Sequence, residues 1–95
     1  AHVISMTGKI TEIERSNKSI SVAVQMTNKP FIVKRGQTVR VQTNSMTVYY
    51  VWTGKKRERV TFSTLVVGQK VSINALVATT AITARRVEVN KPRYR

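Results

Sequence analysis

Apolar and polar residues alternate along most of this 95-residue chain, and no window holds a helical period. From Ser19 to Met26 the alternation predicts a half-buried strand. Ile20, Val22, Val24 and Met26 face inward; Ser19, Ser21, Ala23 and Gln25 face outward. Before it, Val3 to Glu14 reads as a longer strand with Ile4, Met6, Gly8 and Ile10 on one face. Ile13 breaks that parity, which predicts a bulge and a bend, and Gly8 eases the same bend. The polar run Arg15-Ser16-Asn17-Lys18 joins the two strands as a turn.

Downstream, a short strand is predicted from Phe31 to Lys34, ending near Gly36, and another from Thr38 to Thr43. Thr47–Trp52 and Arg57–Phe62 form a hairpin across Thr53-Gly54-Lys55-Lys56, with glycine in the turn. Phe62 to Gly68 is a tight connection holding one 3₁₀ turn. Gln69–Val77 and Ala81–Val89 complete the set, and a parity shift at Arg85-Arg86 predicts a second bulge. About six to seven short strands, little or no helix and a long bent first strand predict an all-β fold. The expected architecture is a small OB-like antiparallel barrel, closed or partly open. The 47–62 hairpin takes the place where many OB folds carry a helix. Residues 1–90 form one domain, and residues 91–95 are expected to be a loose basic tail.

Three segments carry a resemblance. Gly8-Lys9-Ile10-Thr11-Glu12-Ile13 opens the domain, Phe62-Ser63-Thr64-Leu65-Val66-Val67-Gly68-Gln69-Lys70-Val71 connects its halves, and Ile82-Thr83-Ala84-Arg85-Arg86-Val87-Glu88-Val89 closes it. Together they resemble a family of small OB-like β domains of bacterial, often exported, proteins with no assigned activity. The resemblance implies the barrel and an extracytoplasmic location. It brings no functional residues with it.

Charge changes the picture most. Seventeen Lys and Arg stand against four Glu and no Asp, for a formal net charge of +13. Self-repulsion at that density calls for a polyanion to neutralise it. Phosphate backbones are the commonest polyanion; anionic lipids and cell-wall polymers follow. A purely solubilising surface is the plainer alternative. The absence of Cys excludes disulfides, thiolate catalysis and Cys-based zinc sites. No apolar run reaches the length of a membrane span.

Catalysis is not expected. The one His, His2, lies near the start of the chain, and without Asp the Asp-dependent triads are excluded. Glu12 and Glu14 share a face, as paired carboxylates would, but cations within a few residues make charge relief the better reading. No metal, cofactor or small-molecule substrate is expected.

The densest chemistry is Tyr49-Tyr50-Val51-Trp52-Thr53-Gly54-Lys55-Lys56-Arg57-Glu58-Arg59. Cations beside flat rings are what single-stranded nucleic acid requires, one holding the backbone and the other stacking bases. The expected surface therefore comprises Lys55, Lys56, Arg57, Arg59, Tyr49 and Trp52, with Lys34, Arg35, Arg40, Arg85 and Arg86 as further backbone contacts. Parity places Tyr50 and Trp52 with Val48, a face that reads as core and leaves Tyr49 exposed. The reversed register buries Tyr49 and frees the other two. The predicted function is a nucleic-acid-binding module, for DNA or RNA, with weak sequence preference. The alternative is an exported interaction or structural domain on an anionic envelope surface or protein partner. The first implies the cytoplasm; the second, an extracytoplasmic site.

Overall fold

The computed structural model describes residues 2–79 and 81–92. Its strands are β1 (His2–Glu14), β2 (Ser19–Thr27), β3 (Thr38–Gln42), β4 (Val48–Thr53), β5 (Lys56–Val60), β6 (Lys70–Ala78) and β7 (Ala81–Val89). A single 3₁₀ turn, Phe62–Thr64, is the one helical element among the described residues. The strands form one sheet in the order β3-β2-β1-β6-β7-β4-β5, and a β3–β7 pairing closes the first five into a barrel. The expected all-β, OB-like architecture is the one observed.

Closure demands a strand that bends, and β1 supplies it. β1 pairs with β2 on one edge and β6 on the other, with register shifts against β2 at Thr7/Gly8 and Ile10/Glu12. The second shift is the bulge that the Ile13 parity break predicts. The first has a consequence for β2: Gly8 faces Val24 while Thr7 faces Met26, so Gln25 is the extra residue. A one-residue slip turns the following side chain to the other face. Met26, predicted inward, is therefore exposed. At Gly8 a Cβ would press on the Ala23 carbonyl and lie 2.7 Å from Val22 Cγ1, so glycine permits the close approach of β1 and β2.

Ile4, Ile10, Ile20, Val22, Val41 and Leu65 are among the fully buried core side chains, with Val87 and Val89 from β7. Ser19, predicted outward, is also buried; its hydroxyl donates to Asn17 Oδ1 (2.8 Å) and accepts from Arg40 (3.0 Å). The segment predicted as a strand at Phe31–Lys34 is instead turns. Pro30 has no N–H to give a ladder, and the Lys29 carbonyl accepts from both Ile32 (3.0 Å) and Val33 (3.1 Å). The loop seats Val33 in the core and leaves Phe31 in solvent. The second expected bulge is present: the β6–β7 register jumps from Asn74↔Arg86 to Ala75↔Ala84, leaving Arg85 as the extra residue.

β3 and β4 share one edge of β7. Both run parallel to it, β3 meeting Thr83 through Gln42 and β4 taking over from Val48↔Arg86 to Val51↔Val89. The β4–β5 hairpin thus extends the sheet beyond the barrel. Its two-residue turn, Gly54-Lys55, has Gly54 at φ 64°, a conformation glycine adopts without steric cost.

Candidate functional site

The β4 register decides which rings reach the surface. Tyr49 pairs with Val87 and points into the barrel, where its ring meets Phe62 edge-on at 6.1 Å. The expectation of an exposed Tyr49 is therefore corrected: it belongs to the core, 8% exposed, and is no surface contact. Tyr50 and Trp52 occupy the outer face, both half-buried. Trp52, assigned to the core by parity, is thus on the outside, as the reversed register has it.

On that outer face the cross-strand partners assemble a cluster. Tyr50 lies between Glu88 of β7 and Arg59 of β5; Trp52 faces Arg57; Val48 faces Arg86. Glu88 is the hub, with a side chain only 3% exposed. The Trp52 indole N–H donates to its Oε2 at 2.6 Å, Arg86 Nε forms an ion pair with Oε1 at 2.8 Å, and an Arg57 terminal nitrogen lies 3.9 Å from Oε1. A carboxylate so far from water needs such partners to remain charged. The Arg57 guanidinium also lies 4.1 Å from the Tyr50 ring centroid, within cation–π range.

Beside this cluster runs a groove of about 510 Å³. Arg57, Arg85 and Arg86 line it with Tyr50, Asn44, Asn74 and the apolar Met46, Val48 and Leu76; no carboxylate is among its lining residues. The Arg85 bulge explains its presence there: an extra residue on β7 sets two consecutive arginines on the exposed surface.

The other expected site residues divide. Lys55 and Lys56 are exposed at the hairpin tip, with Arg59 on the adjoining strand. Lys34 and Arg35 project from the 28–37 loop, where Arg35 borders a separate depression with Lys70. Arg40 is engaged elsewhere, at 3.0 Å from Glu12 and 2.7 Å from Glu14. That contact gives the Glu12–Glu14 pair the charge-relief role expected of it. The structure thus brings Arg57, Arg85, Arg86 and Trp52 together and leaves Lys34, Arg35, Arg40 and Tyr49 apart. The cations at 93 and 95 lie outside the described residues.

Two residues at the centre, Tyr50 and Glu88, were missed by the sequence reading. The available signal was the i, i+2 spacing of Arg86 and Glu88, which sets opposite charges on one face of a strand. Both rings, moreover, have polar partners. Tyr50 is covered by Arg57, and Trp52 is tethered through its N–H. Arg57 thus takes one face of Tyr50 from base stacking, whereas the Trp52 bond lies in the plane of its ring and covers neither face.

No family model matches the chain, and no curated protein does either. Solved structures do. A crystal structure of Ag(I)-CusF is similar with a TM-score of 0.69 and 19% identity, over 95% of this chain and 100% of that one. Ag(I)-CusF from Escherichia coli gives 0.70 and 19%, over 95% and 94% of the two chains. Apo-CusF from the same organism gives 0.66 and 18%, over 95% and 89%. The likeness is one of fold. At 18–19% identity it assigns no partner, neither nucleic acid nor metal.

This chain offers few of the donors that would hold a soft metal ion. Soft ions such as Ag(I) are held by thiolate, thioether or imidazole. This chain has no Cys, one His and three Met. Met6 and Met26 border one depression where Arg86 and Lys91 outnumber the single carboxylate, Glu88, whereas Met46 lies in the arginine-lined groove. A cation at either place would meet positive charge. No group of three or more His, Cys, Asp or Glu occurs among the described residues.

Proposed function

We propose that this domain is a non-enzymatic interaction module that binds an anionic partner through the outer face of β4, β5 and β7. One observation carries the reading: three arginines line a single groove, and the nearest carboxylate, Glu88, is already saturated by Trp52, Arg86 and Arg57. Arg57 lies against the Tyr50 ring and Arg86 against Glu88, so neither has much rotamer freedom to lose on binding. The guanidinium fork suits carboxylate, sulfate and phosphate oxygens in paired geometry. Met46 and Leu76, both exposed, add apolar contact beside the charge. This combination fits an acidic protein or envelope polymer better than a nucleic-acid strand, because the one ring lining the groove, Tyr50, already has Arg57 on one face. The resemblance to exported bacterial β domains supports a place outside the cytoplasm. No helix among the described residues is long and apolar enough to cross a membrane.

The test compares heparin, poly-glutamate and single-stranded DNA in fluorescence anisotropy at two salt concentrations. Binding of the first two should weaken with salt and fall about tenfold in an Arg57→Gln, Arg85→Gln double variant. Unchanged affinity in that variant would overturn the site. Tighter binding to single-stranded DNA, with quenching of Trp52 emission, would restore the nucleic-acid reading.

A further inference from the structure

β5 ends the sheet: it pairs with β4 alone, and its residues are exposed from Lys56 to Arg59. The hairpin fixes which of its backbone groups are free. Thr53 and Lys56 close the two-residue turn and exchange hydrogen bonds, so bonded pairs recur at Val51↔Glu58 and Tyr49↔Val60. Arg57 and Arg59 occupy the alternate positions, and their N–H and C=O groups point away from β4. Among the described residues, no backbone bond beyond the sheet reaches either of them.

An open edge invites pairing, and its side chains select the partner. Here a second copy is selected against. In any antiparallel pairing of two β5 edges, the outward groups of one copy must meet those of the other. That sets Arg57 or Arg59 directly opposite Arg57 or Arg59, and like charges directly opposite are destabilising. An acidic strand meets the opposite outcome. With carboxylates at alternate positions it faces Arg57 and Arg59 on the same outer face as Tyr50 and Arg86, while Lys55 and Lys56 extend the positive field at the tip.

We infer that β5 is a docking edge for an extended acidic segment of a partner protein, which adds antiparallel as an eighth strand with Asp or Glu at i and i+2 opposite Arg57 and Arg59. The inference rests on the anionic-partner reading and names its chemistry: backbone bonds supply a share of affinity that no polysaccharide can give, and paired carboxylates supply the specificity.

The experiment uses a capped peptide of alternating Glu and Thr with the whole 95-residue chain. Two forms carry N-methyl groups, one on the Glu amides and one on the Thr amides; charge and composition are identical. In the acidic register the Glu amides bond to β5 and the Thr amides point away. The Glu-methylated form should bind at least about tenfold more weakly than the Thr-methylated one. On the protein side, Arg59→Pro removes an outward N–H without taking a bond from β4, so it should bind more weakly than Arg59→Gln, which loses the same charge. Equal binding of the two methylated peptides overturns the inference, even if Arg59→Pro perturbs the hairpin. Heparin has no peptide backbone and separates the two claims. If heparin binds and the unmodified peptide does not, the docking edge falls and the anionic-partner reading stands; if neither binds, both fall.

Discussion

Replacing Glu88 with Gln isolates the charge at the centre of the site, because the two side chains have nearly the same shape. The carboxylate holds two close polar contacts, a hydrogen bond of 2.6 Å from Trp52 and an ion pair of 2.8 Å with Arg86. Bonds to a charged group contribute about 1.5–3 kcal/mol each. The Gln carbonyl keeps one of them at neutral strength, and its NH₂ is turned toward the other donor. Arg57 and Arg86 are also left with their charges unopposed, but at 44% and 45% side-chain exposure water recovers part of that loss. The net cost is about 2–3 kcal/mol. With an m-value of about 1–3 kcal/mol per molar urea, the unfolding midpoint should fall by about 0.7–3 M. Trp52 is the sole tryptophan, so its emission follows unfolding and also reports the altered indole environment in the folded variant. Glu58→Gln, on the exposed edge strand, is the control and should cost less than about 0.5 kcal/mol. A Glu88 variant as stable as that control would refute the idea that this buried carboxylate organises the face.

Two further substitutions probe the frame that holds the site. Gly8→Ala forces a methyl group against the Ala23 carbonyl where β1 and β2 approach, and should destabilise by about 1–3 kcal/mol in the same urea assay; a neutral result would mean that the barrel tolerates wider strand spacing there. Arg40→Ala removes the partner of Glu12 and Glu14, but all three side chains are 43–64% exposed, so the loss should stay below about 1 kcal/mol and heparin affinity should change little. A larger drop in affinity than in the Arg57→Gln, Arg85→Gln variant would move the binding face to β3.

The local features were legible because they are local. Period-2 alternation marked the strands, a break in parity marked two of the three bulges while the one at Gln25 left none, and Gly54 in a short polar turn marked the hairpin. The loop at Phe31–Lys34 misread as a strand because three apolar residues after a proline carry the same composition as a short buried strand; only its hydrogen bonds to Lys29 separate the two.

Alternation says that two faces differ, but not which one is covered. For Val48–Trp52 both faces carry rings, and parity reads the face of Val48, Tyr50 and Trp52 as core. The register against β7 settled it: Tyr49 meets Val87 and turns inward, while Tyr50 meets Glu88 and turns outward. That pairing joins residues nearly forty positions apart in sequence, and it creates the site, since Trp52, Arg57, Arg86 and Glu88 become neighbours only across three strands. The chain's own order therefore determined the strands, the bends and the surplus of positive charge. Closure of the sheet decided where that charge gathers, because contacts between distant strands depend on a register that no local pattern encodes.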